Sequence, residues 1–314
     1  VAMLTFFLCC ELFLTACSAV TPQLVSGGDF SIQGLGNTKQ STRKAEREDK
    51  PPRGKKTTPS PTPFPTVEPT AEPTPAPAED LSVELAGWYN DGWDDESHAV
   101  YTQHAQLFSE VNPYWYNLGT SDSGPGASVD DGQVHERAYV YRPEKVEAVH
   151  QAQDLVIPTV GDNARGQINR ILNTPTARTR LLDTLVDLVL RRGYDGIDLN
   201  MELGTPDGQA AYADFVHELA TRLHVHHKRL SVTLKAAYNA QSESWEMFDY
   251  QRLGQTAVDR FKIMMYDHNF DAGMNVPGPI GEYPWIVRSL EYMIGRGLPA
   301  HKIQLGLHNY AWVW

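Results

Sequence analysis

The run Tyr194-Asp195-Gly196-Ile197-Asp198-Leu199-Asn200-Met201-Glu202 concentrates groups suited to chemistry in this 314-residue chain. Ile197, Leu199 and Met201 alternate with Asp198, Asn200 and Glu202, the pattern of a strand with one apolar and one polar face. Carboxyl and amide groups trade hydrogen bonds, and the carboxyls also trade protons. At about 3.3 Å per residue, Asn200 and Glu202 stand roughly 6 to 7 Å apart along such a strand. A buried polar group without a partner costs on the order of 1 to 3 kcal/mol, so three in one row need partners or a ligand. The row is expected to line a site at the C-terminal end of its strand. A hydrogen-bonded structural network is the competing reading.

Such a strand needs neighbours, and the rest of residues 80–314 supplies them. Strands are expected at Val83–Tyr89, Val111–Leu118, Leu155–Val160, Tyr194–Glu202, Leu230–Ala236, Arg260–Tyr266 and Lys302–Tyr310. Helical patterns lie between them. In one, Thr174 can cap, Pro175 takes the first helical position, and Leu181, Leu185, Leu188 and Val189 form a stripe that Gly193 ends. A second runs from about Asp207 through Tyr212, Phe215, Val216, Leu219 and Leu223, and a third carries Trp285, Leu290 and Ile294. Alternating strands and helices predict an α/β fold, a (β/α)8 TIM barrel that stops after its seventh strand. No Gly-rich phosphate-binding turn follows the first strand, which argues against an open doubly wound sheet. A closed barrel pairs its first strand with its eighth, so the first and seventh strands are expected to carry open edges, and the gene product to continue past Trp314.

The strand at 194–202 resembles the signature of the family 18 glycoside hydrolases, the chitinase-like and spore-cortex-lytic barrels, whose pattern is D-G-x-D-x-D-x-E. Three further runs carry the resemblance: Asn112-Pro113-Tyr114-Trp115-Tyr116, Met265-Tyr266-Asp267, and Leu305-Gly306-Leu307 through Tyr310 to Trp314. The resemblance implies retaining hydrolysis of a β-glycosidic bond beside an N-acetylglucosamine unit, with the substrate's own acetamido oxygen as nucleophile. It assigns Glu202 as general acid and base, Tyr266 to the acetamido carbonyl, Asp198 and Asp195 to a supporting network, and Asp267 to the sugar. It implies no cofactor and no metal. The third Asp of the pattern is Asn200 here, an amide that can accept the acetamido N–H but supplies no charge. A carbohydrate-binding barrel that has lost turnover through Asn200 is therefore the rival reading.

Aromatic residues at expected strand ends, Trp88, Tyr89, Trp115, Tyr116, Tyr266, Tyr310, Trp312 and Trp314, fit a groove on which sugar rings stack, although any one of them could equally be core. His224, His226 and His227 close a helix ahead of Lys228 and Arg229, where positive side chains suit the negative helix end better than they suit a metal site.

The flanking sequence and the charge complete the reading. The net charge of −12 falls wholly on residues 80–314, because residues 1–79 carry 8 basic and 8 acidic side chains. An acidic domain without a basic run excludes a nucleic-acid partner. Residues 1–16 have the apolar core of a leader, and Leu14-Thr15-Ala16-Cys17 resembles the bacterial lipobox, in which the cysteine becomes lipid-modified. Residues 51–79 hold 10 of the 21 prolines, so 17–79 is expected to be an extended tether. The expected arrangement is a membrane-anchored extracytoplasmic lipoprotein whose domain, residues 80–314, meets a polysaccharide. Cys9, Cys10 and Cys17 are the three cysteines, so that domain has no disulfide framework.

Overall fold

The computed structural model describes residues 5–10, 84–89, 96–119, 132–137, 141–269 and 277–311. The tether at 17–79 and the aromatic positions Trp312 and Trp314 lie outside these residues. The strands are β1 (Thr5–Cys10), β2 (Leu85–Tyr89), β3 (Glu110–Leu118), β4 (Val134–Glu136), β5 (Leu155–Val156), β6 (Thr159–Gly161), β7 (Gly196–Asn200), β8 (Arg229–Lys235), β9 (Arg260–Met264) and β10 (Ile303–His308). The α-helices are α1 (Glu96–His104), α2 (Pro143–Gln151), α3 (Gln167–Leu172), α4 (Pro175–Arg192), α5 (Gln209–His224), α6 (Ala240–Glu243), α7 (Tyr250–Gly254) and α8 (Tyr283–Gly295).

Strands β2, β3, β6, β7, β8, β9 and β10 pair in parallel in that order, which is the expected barrel sequence. The edges of β2 and β10 are not bare. Strand β1 lies parallel between them, pairing Phe6 with Leu85 on one side and with Leu305 on the other. Thr5–Cys10 thus takes the place expected of a strand after β10, from within the stretch read as a leader. The reason is backbone chemistry: two parallel edges present unpaired N–H and C=O groups, and any extended apolar segment within reach can satisfy them.

Local sequence explains the remaining elements. Helix α4 begins with Pro175 at its first turn and ends at Gly193, whose φ of +72° is a left-handed conformation open to glycine. Thr174 holds the N-cap position, but its hydroxyl donates back to the Arg170 carbonyl at 3.0 Å and does not cap. Helix α5 turns Tyr212, Phe215, Val216, Leu219 and Leu223 inward, all fully buried. The expected strand at 155–160 is broken into β5 and β6 around Pro158, which has no N–H to donate.

Two layers share the interior. Alternate strand residues Ile197, Leu199, Val232, Leu234, Phe261 and Ile263 face the helices and form the main apolar core. The opposite parity fills the barrel with polar groups: Glu110, Asn112, Thr159, Asp198, Ser231, Thr233, Lys262 and Gln304 are all buried. At their centre the Lys262 ammonium lies 2.7 Å from Glu110 Oε1 and 3.8 Å from Asp198 Oδ1. Removing one partner of a buried ion pair typically costs about 3 to 5 kcal/mol, because the remaining charge loses its compensation. Lys262→Met is expected to destabilise the chain by about that amount, measured by urea unfolding. A loss below 1 kcal/mol would mean that the pair contributes little.

Candidate active site

Asp198 sits at the middle of β7 with no exposed surface. Its Oδ2 accepts hydrogen bonds from Thr159 Oγ1 at 2.9 Å and from Trp88 Nε1 at 3.3 Å, and its Oδ1 accepts one from Ser231 Oγ at 2.8 Å. Thr233 Oγ1 lies within 3.2 Å of both oxygens. Donors from three other strands therefore engage both oxygens of this carboxylate, which fixes it beneath the site. Asp195 departs from expectation. Its Oδ2 lies 2.9 Å from His150 Nε2 and accepts from the Val156 amide at 3.0 Å, at the opposite end of β7. Odd parity carries Asp195 away from the interior, so it joins no network with Asp198.

Glu202 lies two residues beyond the end of β7, at the C-terminal rim. Asn200 Nδ2 donates to Glu202 Oε1 at 2.8 Å. The other end of the amide, Oδ1, is buried and has no hydrogen-bond partner. An amide oriented by a carboxyl on its nitrogen side thus aims an unused acceptor into the site. Tyr266 follows β9 on the same rim, packs on the cluster of Ala86, Trp88 and Met264, and meets Tyr310 edge to face at 6.4 Å. Asp267, at a φ of +56°, accepts a hydrogen bond from the Tyr310 hydroxyl at 2.5 Å. Asp267 and Tyr310 are thus brought together as one wall, after β9 and β10.

The aromatic set divides. Trp88 faces inward as a floor, with its indole nitrogen on Asp198 and its ring so close to Gly306 that a side chain there would collide with it. Tyr89, Trp115 and Tyr116 do not line a groove. They are buried in the core between sheet and helices, where Tyr89 meets Trp115 edge to face and the Tyr116 and Tyr194 hydroxyls lie 2.7 Å apart. The cause for the last two is a bulge between Tyr114 and Tyr116, which turns consecutive aromatics to the helix side. Tyr114 is the residue left near the site, with its hydroxyl against the Cα face of Gly161 and 2.5 Å from Asn117 Oδ1. Counting alternation from the buried Asn112 picks out Tyr114, so that signal was present in the sequence.

Asp162 had no such signal. It follows β6, beside Asn200, whose Cα pairs with Gly161. Both of its oxygens accept from the Leu203 amide, at 3.0 and 3.3 Å. Burial, reinforced by the Glu202 carboxylate and opposed by the Leu203 hydrogen bond and Lys235, pushes its carboxyl up to about 7. The histidines behave structurally: His224 Nε2 lies 3.0 Å from Asp259 Oδ2, and His227 has a φ of +57° just past α5. The partner Asp259 comes from 35 residues downstream, which local spacing could not reveal.

An acid at the end of the fourth barrel strand, an oriented amide two residues before it and a saturated aspartate four residues before it form a family-specific constellation. The pattern of the glycosyl hydrolases family 18 matches residues 88–314. The chain belongs to that family. The sporulation-specific glycosylase YdhD of Bacillus subtilis, described as putative, is 31% identical over 147 residues, covering 47% of this chain and 34% of that protein. The uncharacterized glycosylase YvbX of the same organism is 28% identical over 148 residues, covering 46% of this chain and 42% of its own length. The chain therefore spans less than half the length of these curated relatives. A chitinase from Chromobacterium violaceum shares the fold at a TM-score of 0.62 and 22% identity, with 71% of this chain and 68% of that one covered. The Bacillus cereus spore cortex-lytic enzyme SleL matches at a TM-score of 0.60 and 19% identity, over 71% of this chain and 50% of that one.

Asp162 also predicts a pH dependence of stability. Its proton is held more tightly in the folded chain than at the ordinary value of 3.8, so its contribution is intact below that value and is lost as pH rises through about 7. Asp162→Asn, which stays neutral, is expected to melt higher than the parent at pH 8 and to show a smaller fall in Tm between pH 5 and pH 8. Equal falls by calorimetry would remove Asp162 as the cause.

Proposed function

We propose that this family 18 barrel hydrolyses a β-linked, N-acetylglucosamine-containing polymer, chitin-type or peptidoglycan, with Glu202 as general acid and base. The single observation behind the proposal is the Asn200 amide, held by Glu202 through its nitrogen with its oxygen unpartnered. An acetamido N–H is the donor that this acceptor suits. In the proposed reaction, the Glu202 carboxyl protonates the glycosidic oxygen as the acetamido carbonyl oxygen attacks the anomeric carbon. The C–O bond to the leaving sugar breaks and an oxazolinium forms. The Glu202 carboxylate then takes a proton from water, whose oxygen attacks the anomeric carbon and reopens the ring with overall retention. Tyr266 is the proposed donor to the acetamido carbonyl, and Asp267 with Tyr310 the proposed hold on the sugar. Names among the curated relatives, such as cortical fragment-lytic enzyme, favour a cell-wall polymer.

Glu202→Gln retains shape and hydrogen bonding without a transferable proton. Turnover of cell-wall fragments or chitooligosaccharides is expected to fall by about 10²- to 10⁴-fold, with binding of the same ligands kept. Undiminished turnover would remove Glu202 from the chemistry. Binding without turnover in the parent chain would favour the rival reading, a carbohydrate-binding barrel.

We further propose that the protein is an extracytoplasmic lipoprotein anchored at Cys17, with 17–79 as a tether. Cleavage before Cys17 removes Thr5–Cys10, and the place between β2 and β10 then falls to another strand. The intact mass of the protein extracted from membranes distinguishes the two fates of this segment. A lipidated N-terminal Cys17, lost in Cys17→Ser, is the expected result. A soluble product that retains residues 5–10 would assign them to the barrel.

A further inference from the structure

The backbone immediately after Glu202 is held by groups that the proposed reaction does not use. The Glu202 carbonyl accepts from Lys235 Nζ at 2.8 Å. The Leu203 amide donates to both oxygens of Asp162, and the Leu203 carbonyl accepts from the Gly166 amide at 2.7 Å. One peptide unit, Glu202–Leu203, is thus gripped by an ammonium on its oxygen and a carboxyl on its nitrogen. Further on, Thr205 is tied through both of its backbone groups to Asn169 of α3. A residue two positions past the end of a strand has no ladder to fix it, so this clamp sets the backbone from which Glu202 projects, while Asn200 holds its carboxyl.

We infer that Asp162 is a positioning residue for Glu202, fixing its backbone through Leu203. The inference rests on the reading of Glu202 as general acid. The family pattern puts a carboxylate two residues before the acid, and here that position is neutral. The carboxyl beside the acid comes instead from the next strand, one residue past the Gly161–Asn200 pair. The charged and titratable groups facing Asp162 are Glu202, the Lys235 ammonium, which is also 3.3 Å from Glu246 Oε2, and the fully buried Tyr212 hydroxyl on α5. The Glu202 carboxylate makes loss of the Asp162 proton harder.

The test uses the full chain as parent, Asp162→Asn, Asp162→Ala and Glu202→Gln. Carboxyl NMR titration reads the coupling without turnover: Asp162 is expected to titrate near 7 in the parent, and about half a unit or more lower in Glu202→Gln. An Asp162 midpoint that does not move overturns the inference. In kinetics, Asp162→Asn keeps an acceptor for Leu203 and loses the charge. Its kcat and KM are expected to stay within about threefold of the parent's, because the Leu203 contact is kept. Asp162→Ala also loses the acceptor and is expected to lower kcat by about 10- to 100-fold at the optimum, which the Asn variant largely restores. Parent-level kcat in Asp162→Ala overturns the inference alone if Glu202→Gln is inactive. Full turnover in Glu202→Gln overturns the general-acid reading and this inference with it.

Discussion

A barrel closed around charge has to keep that charge satisfied, and the Asp198 carboxylate is where this constraint bears hardest. It is wholly buried, yet side chains from β2, β6 and β8 donate to it and Lys262 of β9 stands near it. The donors are spread over three strands, so the contacts exist only when the strands are in register. A one-residue slip of any of them would turn its polar residues to the helix layer and its apolar residues inward. The anion therefore acts as a pin for the barrel, and the pin lies two residues below the functional rim. Fold and site depend on the same contacts.

The neutrality of Asn200 follows from the same geometry. Asp198 already engages donors through both oxygens and needs nothing from the residue above it. Asn200 is then free to turn its nitrogen to Glu202 and leave its oxygen unpartnered. A carboxylate at this place would face Asp198 below and Glu202 above, three acidic groups along one strand. An amide avoids that repulsion while keeping an acceptor. The carboxyl at Asp162 stands off the strand, where the Leu203 amide and Lys235 temper its burial. The site thus holds its charges on neighbouring strands and its neutral acceptor between them.

Interior polarity also explains how the rim is assembled. Trp88 is at once the floor under Tyr266 and a donor to Asp198, so the surface beneath Tyr266 is joined to the pin. Glycine at 306 and 161 makes room for Trp88 and Tyr114, respectively, because a Cβ at either position would meet the ring. The wall formed by Asp267 and Tyr310 joins the segments after β9 and β10, the ends of two adjacent strands.

Much of this was legible in the chain itself. Alternation at 196–202 determines which face is polar, helical spacing at 212–223 determines which face packs, and the Pro175 and Gly193 signals bound α4, because all of these depend on residues within a few positions of one another. The constellation of Asp198, Asn200 and Glu202 has the same local origin. Tertiary structure decided the rest. The bulge in β3 sends Trp115 and Tyr116 into the core, a half-step of strand pairing that no composition reveals. Asp195 goes to the far end of β7 because parity outranks motif membership. Thr5–Cys10 reaches the gap between β2 and β10 across nearly the whole chain, since edge pairing needs only an extended segment and not a particular sequence. Asp162 joins the site because the ends of β6 and β7 are neighbours in space while 40 residues separate it from Glu202, and contacts at that separation are set by the closed barrel alone.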